Sequence, residues 1–187
     1  MNRRIRVGVL SIGAAALALA LFGCGGGGGG GDSQTTIHGD LRSGDQRLPT
    51  NTYVENGTYV DVYSCTARSD GSAQVDLKSS DFESFVIIGT EDSGGAIHTI
   101  TTNNSGGSGR NAHVDFNVSQ DARYFVAATT TDGPGRTGSY ELDFSSNLKD
   151  VTEETGITPA IRAAAAHALQ DYQAKKTPGV TPPVPAP

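Results

Sequence analysis

Few side chains in this sequence have the types and spacing that catalysis requires. A serine hydrolase commonly carries its nucleophile in a Gly-x-Ser-x-Gly turn, and no such turn is present. Zinc sites need clustered histidine, cysteine or carboxylate ligands, but neither HExxH nor CxxC occurs. The four histidines are scattered along the chain, at His38, His98, His113 and His167. The sequence therefore predicts that the protein is not an enzyme and has no catalytic residues.

Acidic side chains are the remaining candidates for chemistry. Asp81 with Glu83, and Glu91 with Asp92, are close enough in sequence to act as acid and base, although charged residues at turns are usually solvated. Asp61 differs because it lies within a strand-like run. We expect it to accept hydrogen bonds that fix a neighbouring loop. A hydrolase that used Asp61, Asp81 and Glu83 together is the competing interpretation.

Calcium is the one cation for which the sequence offers candidate ligands. Oxygen-rich loops on extracellular domains bind it, but no Asp-x-Asp-x-Asp-Gly loop occurs here. A loose set of oxygen ligands remains at Glu91, Asp92, Asn103 and Asn104. We expect no cofactor, with these four residues as the only calcium candidates.

The amino-terminal residues have the pattern of an export signal. Three arginines precede Val7 to Phe22, a run without any charge. As a helix this run would be about 24 Å long, which is short for a permanent membrane span of about 30 Å. Leu21-Phe-Gly-Cys24 resembles the bacterial lipobox. Residues 1–23 are therefore predicted to be a lipoprotein signal peptide and Cys24 the site of lipid attachment. An ordinary secretory signal is the alternative.

Residues 24–36 are predicted to be a flexible tether, because they contain seven consecutive glycines from Gly25 to Gly31. Gly25 follows the cysteine where an aspartate would favour retention in the inner membrane. We therefore expect an exported, membrane-anchored lipoprotein, in the outer membrane if the cell has one. Without the arginines of the signal, the net charge would fall from −6 to about −9, which disfavours nucleic acid as a partner.

Apolar and polar residues alternate in short runs from Ile37 to Phe144, and each run is bounded by Gly, Asn, Asp or Ser. The pattern predicts an all-β fold, an antiparallel β-sandwich of about eight strands within residues 37–147. The predicted strands lie near Ile37–Leu41, Tyr59–Ala67, Ala73–Ser79, Phe85–Gly89, Ile97–Thr102, Ala112–Val118, Tyr124–Thr130 and Ser139–Phe144.

Four short motifs occur in order between Asp61 and Leu142. They are Asp61-Val-Tyr-Ser-Cys65, Ser80-Asp-Phe-Glu-Ser-Phe-Val-Ile-Ile88, Asp121-Ala-Arg-Tyr-Phe-Val126 and Gly138-Ser-Tyr-Glu-Leu142. Together they resemble the bacterial pre-peptidase C-terminal domain. The resemblance implies a jelly-roll-like β-sandwich that serves as a non-catalytic accessory module, usually appended to secreted peptidases.

The same motifs supply residues to which we assign a structural role. Cys65 occupies a position where the family usually has an aromatic residue, so we expect it to fill the core as a small apolar side chain. If Cys24 carries lipid, Cys65 has no cysteine left to pair with, and no disulfide is expected. The predicted structural residues are Asp61, Tyr63, Cys65, Phe82, Tyr124 and Tyr140.

Residues 148–176 are predicted to form a linker and one short C-terminal helix, with Thr158 as N-cap and Pro159 as the first helical residue. A narrow apolar stripe runs along this helix at Ile161, Ala165, Ala168, Leu169 and Tyr172. The helix either docks on the sandwich or frays in solvent, and a partner-binding helix is the alternative. Residues 177–187 are rich in proline and are predicted to be a disordered spacer.

Taken together, the sequence predicts a non-enzymatic, lipid-anchored protein of the cell envelope whose β-sandwich is a binding or adhesion module. Its partners would be the membrane, through the lipid, and an envelope protein or polymer. The alternative function is an accessory subunit that assists a separately encoded secreted peptidase or other hydrolase.

Overall fold

Nine antiparallel strands and one helix make up the part of the chain that the computed structural model describes, which is residues 33–48, 57–92, 94–104 and 109–176. Cys24, the predicted signal peptide, the tether as far as residue 32 and the tail at 177–187 lie outside these ranges. The strands are β1 (Thr35–Leu41), β2 (Asp61–Ala67), β3 (Gly71–Lys78), β4 (Ser84–Glu91), β5 (Ile97–Asn103), β6 (Ala112–Val118), β7 (Arg123–Thr130), β8 (Gly138–Phe144) and β9 (Leu148–Glu153), and the helix is α1 (Pro159–Lys176).

The strands form two sheets, with the orders β1-β8-β3-β6 and β5-β4-β7-β2-β9. The first eight strands pair in a nested way, because β4 pairs with β5, β3 with β6, β2 with β7 and β1 with β8. This nesting is a long antiparallel ribbon folded over on itself, which is the jelly-roll arrangement. The predicted fold class is confirmed.

The main core lies between the two sheets. Alternate residues of β3, β6 and β8 point inward, as the sequence pattern predicts, and side chains such as Leu77, Leu142 and Phe144 have no exposed surface. The polar residues between them lie on the outer face of the four-stranded sheet. This sheet is therefore apolar on one face only.

The five-stranded sheet is apolar on both faces. In β4, Val86 and Ile88 belong to the core between the sheets, while Phe85 and Ile87 belong to a second cluster on the outer face. Helix α1 covers this outer face with Ile161, Ala165, Ala168 and Leu169, all of which are buried. The rings of Phe85 and Tyr172 are 4.8 Å apart, which extends the contact toward the end of the helix.

The start of α1 is fixed by its N-cap. Thr158 Oγ1 accepts a hydrogen bond from the Ile161 backbone N–H at 3.2 Å, and Pro159 occupies the first helical position. Both assignments agree with the sequence prediction, and the predicted apolar stripe is the face that packs on the sheet. The helix therefore docks on the sandwich. Within the described ranges, no helix combines the length and the apolar character needed to cross a membrane.

Several strand ends differ from the prediction by one or two residues, and one strand, β9, was not predicted. β2 begins at Asp61 rather than Tyr59, because Tyr59 forms only an isolated bridge with Arg47. β9 lies in the segment that was predicted to be a linker. A β-bulge interrupts its pairing with β2, and Asp150 has a positive φ of 55°. The bulge places Leu148 and Val151 three residues apart, so the two-residue alternation that identifies a strand is lost.

We predict that replacing Leu169 by Ala lowers the free energy of unfolding by about 2 to 4 kcal/mol, because the change leaves a cavity under the helix. Leu169 is 1% exposed. Chemical denaturation followed by circular dichroism measures the change. Lys175→Ala, an exposed substitution on the same helix, is the control and should change the stability by less than about 0.5 kcal/mol. Equal stability of the Leu169 variant and the parent would mean that α1 does not pack as described.

Candidate functional site

A chain of three polar side chains joins the two sheets. The Tyr140 hydroxyl, on β8, donates a hydrogen bond to Asp61 Oδ2, on β2, at 2.6 Å, and it lies 2.7 Å from the Tyr63 hydroxyl. Gly39 on β1 permits this arrangement, because a Cβ at that position would lie 2.4 Å from the Tyr140 ring. Asp61 thus accepts a hydrogen bond from the opposite sheet, whereas the sequence led us to expect one from a neighbouring loop.

Burial raises the pKa of Asp61 to about 6 from its ordinary 3.8. The hydrogen bond from Tyr140 opposes this increase, and the nearby carboxylates of Asp45 and Glu153 add to it. All three acidic side chains line a hollow of about 280 Å³ between β2, β9 and the segment after β1. Asp61 differs from the other two acidic residues because its hydrogen-bond partner, Tyr140, belongs to the core between the sheets.

We predict that the contribution of Asp61 to the free energy of unfolding decreases as the pH rises through about 6. The folded protein holds the Asp61 proton more tightly than the unfolded chain, so this contribution is complete below pH 4 and lost above pH 6. Asp61→Asn keeps an acceptor for Tyr140 without the charge. It should therefore be more stable than the parent at pH 7.5, by at most about 3 kcal/mol, and should lose this advantage at pH 4.

Denaturant titrations at several pH values test this difference. Asp171→Asn, on the exposed face of α1, serves as the control and should follow the parent at every pH. A variant at Asp61 that is less stable than the parent at pH 7.5 would contradict the prediction.

The other predicted structural residues lie in the core. Phe82 is fully buried and makes an edge-to-face contact with Tyr140, with ring centroids 6.4 Å apart. The Tyr124 hydroxyl accepts a hydrogen bond from the Ser119 backbone N–H at 2.8 Å. Cys65 is buried, and burial raises the pKa of its thiol to about 12, which keeps the sulfur protonated and unreactive.

The four calcium candidates do not form one site. Glu91 and Asp92 lie at one end of the β4–β5 hairpin, and Asn103 and Asn104 lie at the other end. The Asp92 carboxylate accepts hydrogen bonds from the Gly94 and Ala96 backbone N–H groups and contacts His98. The two pairs are separated by the length of a strand, so the four residues do not converge on one point.

The two asparagines are also used by the fold. Asn103 donates a hydrogen bond to the His113 carbonyl at 2.9 Å, and Asn104 donates one to Glu83 Oε1 at 2.7 Å. Among the described residues, no cluster of three or more histidine, cysteine or acidic side chains is arranged to hold a metal ion.

Asp81 and Glu83 likewise have separate structural partners. The Ser139 backbone N–H and hydroxyl donate hydrogen bonds to Asp81 Oδ2 at 2.9 and 3.0 Å, and these bonds lower the pKa of Asp81. Glu83 accepts a hydrogen bond from the side-chain amide of Asn104. Asp61 is bonded to Tyr140. The three carboxylates proposed for a hydrolase are therefore engaged in three different contacts.

A groove of about 920 Å³ lies between β5 and α1. β5 is an edge strand, since β4 is the only described strand that pairs with it. Its pairing with β4 shifts by one residue, and Ile100 is the extra residue of this β-bulge. The bulge turns Ile100 outward, where it is 41% exposed. No other large apolar side chain in the described ranges is as exposed, so the bulge places an apolar contact point in the groove.

The walls of the groove combine small and polar groups. Thr99 and Thr102 pair with Gly89 and Ile87 on the face that α1 covers, so their side chains lie on the side of the helix. The helix contributes methyl groups, among them those of Ala163 and Ala164. This lining suits a ligand that is held by van der Waals contacts and hydrogen bonds.

Charged groups lie along the two sides of the groove. His98 Nε2 is 2.9 Å from Asp92 Oδ2 on the strand side, and His167 Nδ1 is 3.7 Å from Asp171 Oδ1 on the helix side. All four side chains are largely exposed. The lining itself contains one carboxylate, Asp171, and one ammonium group, Lys175, so their formal charges cancel and the groove favours an uncharged ligand.

Sequence reasoning missed this groove, although one signal was available. Ile97 and Ile100 are three residues apart, which breaks the alternation of a regular strand. Such a break marks a bulge, and bulges often redirect side chains near functional sites.

The fold and the groove define a jelly-roll β-sandwich domain with a helix over one sheet and a ligand-sized cleft beside that helix. No protein-family model matches the sequence, and no curated protein sequence matches it either.

Some solved structures are similar to this chain. One is the pre-peptidase C-terminal domain of a collagenase from Bacillus anthracis, at 19% identity and a TM-score of 0.43, over 60% of this chain and 89% of that domain. A second is the Yersinia pseudotuberculosis-derived mitogen, at 11% identity and a TM-score of 0.46, over 67% and 97% of the two chains. A third is a family 29 carbohydrate-binding module, at 15% identity and a TM-score of 0.28, over 67% and 99%.

The family that the sequence motifs resemble is thus represented among the similar structures. The identities and TM-scores are too low for any function to be transferred from them. The function proposed below rests on the residues of this chain.

Proposed function

We propose that this protein is a non-enzymatic, lipid-anchored component of the cell envelope, and that the β5–α1 groove holds an extended polypeptide segment of an envelope partner. The observation that carries the proposal is the groove itself, with the exposed Ile100 side chain in it. Ile100 adds apolar area to a concave surface that is already lined by small side chains, and concave, mostly apolar surfaces with a few polar groups are where ligands bind.

An extended polypeptide fits this groove better than a compact ligand because the groove runs along the extended strand β5. The seven residues of β5 extend over about 23 Å, which matches an extended segment of similar length. The free edge of β5 offers backbone groups that no described strand uses, and a polypeptide can hydrogen-bond to them. The bulge at Ile100 interrupts this edge, so the partner would bond on either side of it while an apolar side chain contacts Ile100.

Support for the anchor comes from the sequence alone. The uncharged run Val7–Phe22 and the cysteine that follows Gly23 have the order of a lipoprotein signal. Lipid chains hold a protein stably on a membrane only when more than one is attached, since each buried methylene contributes about 0.8 kcal/mol.

We predict that the mature protein begins at Cys24 and carries acyl chains on that residue. Mass spectrometry of the protein purified from membranes measures the terminal peptide directly. Cys24→Ser should abolish both the cleavage and the membrane association, while Cys65→Ser should leave both unchanged. An unmodified terminal cysteine in the parent protein would contradict the anchor.

We predict that a photo-reactive amino acid in place of Thr99 cross-links to a polypeptide of the envelope in living cells. Thr99 is exposed and lines the groove. Mass spectrometry of the product identifies the attached segment. The additional substitution Ala163→Trp, which fills the groove from an exposed helix position, should reduce the yield of this product about tenfold or more.

The matched control has the same photo-reactive group at Ser72, an exposed position on the four-stranded sheet. It should not give the product. Products that are equal at both positions, or that survive Ala163→Trp, would contradict the groove as the binding site. If the attached segment belongs to a secreted peptidase, the protein acts as the accessory subunit that the sequence offered as its alternative function.

A further inference from the structure

The β5–α1 groove ends beside the last residue of the helix. Lys176 Nζ lies 3.5 Å from Glu83 Oε1, and the same oxygen accepts a hydrogen bond from Asn104, the residue that follows β5. Near the other end of β5, Ile97 and Ile161 line one small cavity. The helix and β5 therefore run in the same direction, and the residues after Lys176 start at the end of the groove.

The segment that follows, residues 177–187, lies outside the described ranges, and its composition suits the groove. It has no charged side chain, five of its residues are proline, and Val180 and Val184 add apolar side chains. The charges in the groove lining, on Asp171 and Lys175, cancel. The segment can therefore bury its side chains there without desolvating a charge of its own.

The sequence also provides for a reversal of direction after the helix. Thr177-Pro-Gly-Val180 has proline and glycine at its two central positions, which is the pattern of a type II turn. Beyond the turn, a proline-rich chain favours the extended polyproline II helix. At about 3.1 Å per residue, Val180–Pro187 would extend over about 25 Å, and β5 extends over about 23 Å. The segment is long enough to run back along the groove.

The groove lining matches the groups that a polyproline II chain presents. Such a chain leaves its carbonyl groups unbonded and exposes its proline rings, and it binds in grooves that contain aromatic side chains. Thr99 and Thr102 supply hydroxyl groups that can donate to these carbonyls. The Tyr172 ring and the exposed Ile100 side chain supply apolar surface for the proline rings.

The other segments outside the described ranges suit the groove less well. Residues 105–108, Ser-Gly-Gly-Ser, also start near the end of β5, but they have no apolar side chain. Residues 49–56 contain a glutamate and connect Leu48 with Gly57, neither of which lines the groove. Residues 1–32 lead toward β1, a strand of the other sheet.

We propose that residues 177–187 occupy the β5–α1 groove of their own chain, and that the envelope partner must displace them. The connection to α1 is short, so the effective concentration of the segment at the groove is about millimolar and a weak contact is enough to fill it. Prolines cannot donate hydrogen bonds to the edge of β5, whereas a partner segment with N–H groups can pair with it and bind more strongly. This regulation rests on the proposed function, because it controls access to the same groove.

Photo-cross-linking of the purified full chain in detergent tests which segment occupies the groove. We expect a photo-reactive amino acid in place of Thr99 to form a link within the chain to residues 177–187, and mass spectrometry of the digested protein locates this link. A mixture of isotope-labelled and unlabelled protein distinguishes a link within one chain from a link between two copies. The same photo-reactive group at Ser72 should not give the link.

Matched substitutions test whether the segment lies in the groove. Val184→Asp introduces a carboxylate into the part that lies in the groove, so it should lower the yield of the link about fivefold or more. Thr177→Asp introduces the same charge before the turn and should keep the yield within about twofold. Ala163→Trp, which fills the groove from the helix, should lower the yield as Val184→Asp does.

Three results would overturn the proposal. They are the absence of a link to residues 177–187, a link that forms only between copies, and equal yields for Val184→Asp and Thr177→Asp.

The displacement by the partner is tested in living cells. There, Val184→Asp should raise the yield of the envelope product at Thr99 about threefold or more, because the competing segment no longer fills the groove. An unchanged yield would overturn the competition. An envelope product without the link to residues 177–187 in the purified protein would contradict this inference alone, whereas the link without any envelope product would contradict the proposed function alone.

Discussion

The five-stranded sheet must be shielded from water on both faces, and the rest of the architecture depends on this constraint. β4 and β7 are buried along nearly their whole lengths, with apolar side chains pointing to both sides. The four-stranded sheet covers one face, as in any sandwich. The other face would expose Phe85, Ile87, Phe125 and Ala127 if nothing lay over it. Helix α1 therefore belongs to the fold, since its removal would open a second core to solvent.

The same constraint creates the groove. One helix is about 10 Å wide, whereas five strands at about 4.8 Å spacing span roughly 20 Å. α1 can cover only part of the sheet. Its buried residues pack on β2, β4 and β7, the helix also runs against the edge strand β5, and the groove lies along this line of contact. On the face that α1 covers, β5 has the polar residues Thr99 and Thr102, whereas the neighbouring strand β4 has apolar residues there. The bulge at Ile100 then adds one apolar contact to this polar strip.

Local alternation and local hydrogen bonding predicted the antiparallel sandwich, most strand positions and the helix cap, whereas the jelly-roll-like arrangement was implied by the resemblance to the pre-peptidase C-terminal domain. The sequence also contained a signal that one sheet is buried on both faces, but alternation alone does not detect it. Phe85-Val-Ile-Ile88 and Tyr124-Phe-Val-Ala-Ala128 are unbroken apolar runs, which are typical of strands buried on both faces. β9 was missed because its bulge changes the spacing of its apolar residues.

The polar contacts were less accessible to sequence reasoning. Asp61 was singled out correctly as an unusual acidic residue in a strand, but its partner Tyr140 is 79 residues away and on the other sheet. Only the packing of the two sheets brings them together. The four calcium candidates are not brought together, for the complementary reason. Asp92 and Asn103 are near in sequence, yet an extended strand holds them apart.

Hydrogen exchange measures most directly whether the groove is a binding site. The amide exchange of the protein in its native membranes is compared with that of the purified protein in detergent. The account predicts slower exchange in membranes for β5, Ile97–Asn103, and for the facing side of α1, with no change in β9, the opposite edge of the same sheet. Unchanged exchange in β5 while another surface becomes protected would contradict it.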